Sequence, residues 1–426
     1  MKVLVVGGGG REHALCWKIA SSPLVTRVLC APGNLGTAEV AQNLAVAATD
    51  LDGIVRIARE HAVDLVVVGP EDPLVMGLAD RLRAAGVVVF GPGAQGARLE
   101  GSKSFAKELL ERHRIPTASS RRFDRAGLAK SYLESQQAWP LVIKADGLAA
   151  GKGVFICRDA RQACSVVDAL MEERRLGDAG AQILVEEFLE GQELSIQAIT
   201  DGRTLLLLDP VVDHKQLEDG DRGPNTGGMG VVSPARWVSK RLLRQIEQRV
   251  LLPTLHALQI EGLDFRGVLY AGLMVTESGP RVLEFNCRFG DPETQVIVRR
   301  FGGDLVPYLL AAAEGKLDGL EAPPTGAEAA LGVVVAAHGY PGEVRRGDTI
   351  GGLERAGKEE GVVVFQAGTR RAGEHLVTDG GRVLCVTAVG ADMEEARVRA
   401  YAGVDRIVFD GKQCRRDIGM RPAQMR

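Results

Sequence analysis

A chain of 426 residues, 45% of them apolar, has material for about three domains of roughly 100–200 residues each and for a substantial core. A formal net charge of −3 gives no general basis for binding nucleic acid or a membrane surface. Seven cysteines without a CxxC spacing read as reduced thiols. The N-terminal apolar run VLVV is too short for a signal-peptide core, and no run approaches a membrane span of about 20 residues. These features lead us to expect a cytoplasmic α/β protein.

In chain order, 2–6 (KVLVV), 63–68 (VDLVVV) and 87–90 (VVVF) are short β-branched runs. Helical patterns lie between them at Arg11–Ser21, Leu51–Glu60 and Gly77–Ala85, and this alternation predicts a parallel sheet with helices on both faces. A helix is predicted over Ser102–His113, with Ser102 as its cap. Residues 117–190 form a compact segment containing KADGLAAGKGV and ILVEEFLEG. Antiparallel pairs are predicted at 193–200 with 204–208, and at 267–276 with 281–286. Between the pairs EDGDRGPNTGGMG reads as a long polar loop, a kind usually functional or disordered. APPTG (322–326) reads as a linker. The strands in LGVVVAAHGYP, GVVVF and RVLCVTAVG, with a helix over Met393–Ala402, make a smaller third α/β unit.

The glycine run of VVGGGGREHAL, between a first strand and a first helix, suits an anion. It breaks the dinucleotide fingerprint GxGxxG, because Glu12 or His13 stands where the third glycine belongs, and no acid ends the second strand. A nicotinamide cofactor is therefore disfavoured. The loops PGN (32–34) and GPEDP (69–73) follow other strands of the same sheet, where ligands bind at carboxyl ends. Together with Glu71 they suit a phosphorylated sugar.

KADGLAAGKGV fails as a P-loop: Gly147 and Gly151 are one residue too close, and Gly153 replaces the Mg²⁺-binding hydroxyl. A strand ending in Lys144 followed by a glycine loop suits a flap over a nucleotide. Lys103 is a second candidate phosphate contact. In VLEFNCRFGDPETQ, strand alternation puts Glu284, Asn286 and Arg288 on one face. A carboxylate and an amide oxygen suit Mg²⁺, and Arg288 suits a carboxylate or phosphate. Asp291-Pro292 reads as a helix start with Asp291 as cap. Glu186 and Glu187 read either as a solvated strand end or, with Phe188 and Leu189, as an adenine site, with Glu193 in reach of a ribose. His214 beside the glycine-rich loop is undecided between site and structure. No HExxH or GxSxG occurs, so zinc-peptidase and serine-hydrolase chemistry lack support. The set suits ATP-driven activation of a carboxylate as an acyl phosphate, which an amine then attacks. A non-catalytic nucleotide-binding module, a ribonucleotide carboxylase and a dehydrogenase are the rival readings.

The segments GGGGREHAL, LEGSKSFAK, KADGLAAGKGV, DGDRGPNTGGMG, EFNCRFGDPETQ, GYPGEV and RRDIG resemble the glycinamide ribonucleotide synthetases (phosphoribosylamine–glycine ligases) over nearly the whole chain. RFGDPETQ and PNTGGMG are the most specific matches. The resemblance implies an α/β ATP-grasp fold. It implies an N-terminal parallel-sheet (pre-ATP-grasp) domain over 1–101, an ATP-grasp domain over 102–325 with a lid at about 117–190, and a small C-terminal α/β domain over 326–426. It implies ligation of glycine to 5-phosphoribosylamine through glycyl phosphate in purine biosynthesis, with ATP and Mg²⁺ or Mn²⁺, by a monomer that needs no nucleic acid or membrane. By resemblance, Lys103 and Lys144 contact the ATP phosphates, and Gly147 to Gly153, Gly151 included, form the flap. Glu186, Glu187, Phe188 and Leu189 hold adenine, Glu193 the ribose, and Glu284 and Asn286 the metal. Arg288 grips the glycine carboxylate or the phosphates, with Asp291 near the amine. Gly9, Gly10, Asn34 and Glu71 hold the amino-sugar, helped by Asp213 and Lys215. The family often reads QDHKR where this chain has VDHKQ (212–216), and often a small aliphatic residue at Cys287.

Overall fold

Both faces of the first strand are apolar, and both are buried. In Lys2–Gly7 of the computed structural model, which describes residues 1–149 and 153–420, Val3 and Val5 enter one core and Leu4 and Val6 another. This is the signature of a parallel strand covered by helices on each side. The sheet is five-stranded and parallel, ordered Gln42–Asn43, Arg27–Pro32, Lys2–Gly7, Leu65–Val68, Val89–Phe90. Helices Gly10–Ala20, Leu51–Glu60 and Leu78–Ala84 stand close to their predicted places. The helix Lys103–Arg112 is capped as expected: Ser102 Oγ accepts from the Phe105 N–H at 3.1 Å.

Two antiparallel four-stranded sheets follow. One is ordered Ser120–Phe123, Ile183–Glu187, Leu141–Ala145, Val154–Cys157. Its Ile143, Ala145, Ile183 and Val185 pack beneath helices Ala126–Glu134 and Ala160–Val167. The opposite face carries Val142 and Lys144 toward a cavity. The other sheet is ordered Leu205–Leu207, Gln192–Thr200, Gly267–Thr276, Gly279–Asn286, and contains both predicted pairs.

The glycine-rich segment departs from a simple loop. Gln216–Glu218 and Arg222–Asn225 pair as a hairpin, and Gly220 and Asp221 take the left-handed backbone its turn needs (φ 72° and 53°). Gly230–Ser233 then joins a five-stranded antiparallel sheet ordered Val212–Asp213, Gly230–Ser233, Ala329–Ala336, Arg382–Gly390, Val362–Gln366. The C-terminal strands therefore do not close on themselves. Val231 is wholly buried, and the register Val231↔Gly332 gives it a place in the shared sheet. Helix Met393–Arg406 packs on the outer face of that sheet, where Ala396, Ala400 and Val404 join its core. Among the described residues no helix is long and apolar enough to cross a membrane.

The segment RRDIG grips the hairpin tip. Arg415, fully buried, donates to both carboxylate oxygens of Asp417 (2.8 and 2.6 Å) and to Asp221 (2.7 Å). Asp417 also accepts from the Gly220 N–H at 2.8 Å, and the Arg416 N–H donates to Asp219 at 2.8 Å. Arg415→Met leaves the nearly buried Asp417 without its counter-charge, and is expected to cost about 3–5 kcal/mol in urea unfolding.

Candidate active site

The two four-stranded sheets face each other across a cavity of roughly 380 Å³. Val142, Lys144, Val154 and Ile156 line it from one sheet, and Tyr270, Met274, Glu284 and Asn286 from the other. Glu186, Glu187, Phe188, Leu189 and Glu193 line it where the sheets meet. Gly147 and Gly153 bound the glycine loop and Gly147 N–H donates to Ala179 O, but Gly151 lies outside the described residues.

The strand Gly279–Asn286 carries one irregularity. Gly272 pairs with Glu284 and Leu273 with Val282, so Leu283 is the extra residue. Beyond it alternation is regular: Phe285 and Cys287 enter the core, and Glu284, Asn286 and Arg288 face the cavity, as their spacing predicts. No hydrogen bond or ion pair holds the side chain of Glu284 or Asn286 among the described residues. Burial opposes Glu284's charge, but Lys215, Lys144, Lys103 and Arg288 outweigh it and hold its carboxyl below the usual range. No group of three or more His, Cys, Asp or Glu side chains gathers as a metal site among the described residues. An ionised carboxylate beside a free amide oxygen instead fits a hard cation that completes its shell with phosphate oxygens and water.

The lysines are differently engaged. Lys144 Nζ donates to Leu283 O and pairs with Glu186, both at 2.9 Å. Lys107 pairs with the other oxygen of Glu186 at 3.2 Å. Glu186 is therefore a buried bridge between two lysines rather than a free acid. Burial pulls Lys103 below its usual range while Glu284 pulls it back, and among the described residues its Nζ donates only to Gly147 O, at 3.4 Å. Lys215 pairs with buried Asp213 at 3.1 Å. Burial works against its charge, but Tyr270, Asp213, Glu284 and Glu293 around it outweigh that and keep it protonated. Glu187, on the rim, accepts from Ser119 N–H and pairs with Arg281.

Arg288 is already gripped. Its Nε donates to Glu71 at 3.0 Å and an Nη to Glu100 at 2.8 Å, and Glu100 also accepts from Cys287 N–H at 2.7 Å. Glu71 thus lines this cavity, and it also lies 4.0 Å from Arg11, on the helix that follows the glycine run. Asp291 is not a helix cap. The helix begins at Glu293 with Pro292 preceding it, and Asp291 Oδ1 accepts from Gln295 Nε2 at 2.8 Å.

A second cavity, roughly 460 Å³, opens on the loops at the carboxyl ends of the parallel strands. Gly8, Gly9, Gly33 and Asn34 form one wall, and Ala367, Gly368 and Thr369 from the C-terminal region another. Glycine is required here by close approach: a Cβ on Gly8 would lie 2.7 Å from Gly33 O. Gly10 packs under Gln295 instead, where a Cβ would meet Nε2 at 2.7 Å. The Asn34 amide donates to the carbonyls of Gly8, Gly9 and Gln366, so it fastens the loops together. Glu12 accepts from Gly9 N–H at 2.6 Å, and burial depresses His13 to about 4, leaving it neutral to accept from Gln366 N–H. His214, half-buried, likewise hydrogen-bonds the backbone, at Gly230. Asp291 and Arg382 line both cavities.

Three family models cover most of the chain: the phosphoribosylglycinamide synthetase N domain matches residues 1–100, the ATP-grasp (A) domain 101–294 and the C domain 330–421. A phosphoribosylamine–glycine ligase of Allochromatium vinosum is 51% identical over 424 residues, spanning 99% of this chain and 98% of the relative. The chain belongs to the phosphoribosylglycinamide synthetase family. A ligase of the same name from Escherichia coli K12 is 50% identical over 425 residues, with 99% and 98% covered. The crystal structure of a phosphoribosylamine–glycine ligase from Thermotoga maritima superposes with a TM-score of 0.84 at 35% identity, over 98% of this chain and all of that one.

Within this phosphoribosylglycinamide synthetase fold, sequence reasoning missed several wall residues. Lys107 follows Lys103 by one helical turn, so its shared face was readable from LEGSKSFAK. Glu100, Glu293, Tyr270 and Arg382 carried no local signal. They are brought in by tertiary contacts such as the Tyr270–Glu293 hydrogen bond and Ser195–Tyr270 at 2.9 Å.

Burial alone would raise Glu71, but Arg288 and Arg11 carry it from 4.5 down to about 2. A depressed carboxyl stabilises the fold above its unfolded value and loses that contribution as pH falls through its folded value. Glu71→Gln is therefore expected to be less stable than wild type at pH 7 by about 1–3 kcal/mol. The gap should hold down to about pH 4.5 and close toward pH 2, as read by denaturant midpoints across pH.

Proposed function

We propose that this chain ligates glycine to 5-phosphoribosylamine at the expense of ATP, through glycyl phosphate, giving glycinamide ribonucleotide, ADP and phosphate in purine biosynthesis. One observation carries the reading. A Glu284–Asn286 pair with no side-chain partner among the described residues, ringed by Lys103, Lys144 and Lys215, faces a cavity that shares Asp291 with a second, glycine-lined cavity.

The first cavity takes ATP and glycine. The Phe188–Leu189 stretch and Glu187 border the adenine and Glu193 the ribose, while Lys103 and Lys144 face the phosphates. Glu284 and Asn286 would hold Mg²⁺, or Mn²⁺ as another hard cation, which when bound offsets charge on the transferring phosphoryl group. Arg288, fixed by Glu71 and Glu100, presents its remaining donor edge to the glycine carboxylate. The second cavity takes the amino-sugar, its phosphate against the glycine loop at the start of the first helix. The amine then attacks the acyl carbon; the new C–N bond forms as the C–O bond to phosphate breaks, and the departing phosphate takes the nitrogen's proton. No side chain acts as a nucleophile, because positioning and charge supply the rate.

We assign residues 1–101 to the amino-sugar, 102–325 to ATP with 117–190 as its lid, and 326–426 to a closing domain. A cytoplasmic monomer suits a chain whose two cavities are built from its own residues and whose seven cysteines are all free thiols. The test is release of phosphate from ATP, assayed with glycine and phosphoribosylamine present or omitted singly. Release is expected only with both, and release without glycine sinks the reading. Glu284→Ala with Asn286→Ala is expected to slow ligation by about 100- to 1000-fold, the loss typical of removing transition-state charge stabilisation.

A further inference from the structure

Arg382 stands, with Asp291, where the two cavities share a wall, and the reaction proposed above gives it no task. It comes from the start of the C-terminal strand Arg382–Gly390 and reaches across to two other segments. One terminal nitrogen donates both to Gly227 O, in the PNTGG turn, and to Asp291 O at 2.7 Å, in RFGDP. The other lies 3.5 Å from Asp291 Oδ2. Gly227 is pinned from its other side as well: its N–H donates to Tyr340 Oη at 2.9 Å, from the GYPGEV segment. A Cβ on Gly227 would come within 3.1 Å of the Arg382 guanidinium carbon, so the turn closes directly against the fork. With the side chain only 24% exposed, these bonds are made with little competition from water.

We propose that Arg382 is the positioning residue at the junction of the two cavities, holding the Gly227 turn and the Asp291 loop so that the amine in one cavity meets the acyl group in the other with water excluded. The planar fork is what the position demands. A lysine supplies charge to Asp291 but cannot hold two carbonyls and a carboxylate in one rigid plane. Tyr340 acts in the same direction through the other side of the Gly227 peptide. The inference rests on the ligase reading, and it predicts a failure of coupling rather than of ATP use. A loosened junction leaves the acyl phosphate formed, but lets water compete with the amine for it.

The test measures ADP and ribonucleotide product together, with phosphoribosylamine generated in the assay. Wild type is expected to give one ADP per product. Arg382→Ala is expected to give several ADP per product and to raise the KM for phosphoribosylamine by about 10- to 100-fold, the effect of roughly an ångström of misplacement, with the KM for ATP little changed. Arg382→Lys should fall between, and Tyr340→Phe should show the same shift more weakly; both keep the question open to measurement if Arg382→Ala does not fold. One ADP per product with unchanged KM values in Arg382→Lys and Tyr340→Phe overturns the proposal. So does a uniform loss of kcat that merely tracks a lowered melting temperature. A wild-type enzyme without joint dependence on glycine and phosphoribosylamine overturns the ligase reading instead.

Discussion

Everything about the site turns on an imbalance of charge around Glu284. Three lysines and an arginine lower the pKa of one carboxylate that no side chain pairs among the described residues. In water such a cluster would be screened to little consequence. Between two sheets it is not, because charges drawn out of bulk solvent interact more strongly and each carries a desolvation cost. Acidic partners offset part of that cost: buried Glu186 sits between Lys107 and Lys144, buried Asp213 against Lys215, and half-buried Glu71 and buried Glu100 on Arg288. What the protein leaves uncompensated is positive potential facing the cavity and one ionised oxygen donor. A polyphosphate with a divalent cation supplies the complement of both.

That balance depends on backbone register as much as on residue type. Glu284, Asn286 and Arg288 share a face by alternation, and the extra residue, Leu283, sets the phase of that face against the strand before it. A one-residue slip would bury the three polar groups and expose Phe285 and Cys287. The core contacts of Phe285 and Cys287, and the grip of Glu100 on the Cys287 N–H, hold the strand against that slip. The apolar face thus fixes the geometry that the polar face uses.

The same division explains what could be read from sequence. Groups whose placement follows from local periodicity were legible: the parallel strands, the Ser102 cap, the common face of Glu284, Asn286 and Arg288, and Lys144 at the end of its strand. Groups whose role depends on a partner far along the chain were not. Asp291 reads as a cap beside Pro292, but its carboxylate is engaged by Gln295 and Arg382. Glu71 reads as part of a loop beside the glycine run, but it opens the short helix Glu71–Val75, and an arginine 217 positions away fixes its carboxylate in the wall of the first cavity. EDGDRGPNTGGMG looks like free loop because its hairpin is fastened by residues nearly 200 positions later. Composition shows that such a segment is polar and turn-rich; it does not show what holds it.

That fastening is a physical necessity for this wall. A short two-stranded hairpin is marginal alone, and glycine raises the entropy lost when its backbone is fixed. Yet Gln216, Asn225, Thr226 and Gly227 line the first cavity, where a reacting geometry has little tolerance. A wall of small residues lets a ligand approach closely but cannot order itself. The ordering is imported: Arg415 and Asp417 hold the hairpin tip, and Tyr340 and Arg382 hold its return at Gly227. Of the described residues beyond 326, Arg382 lines the first cavity, and the C-terminal strands share a sheet with Val212–Asp213 and Gly230–Ser233, which lets chain remote in sequence from the strand bearing Glu284 order the wall opposite it.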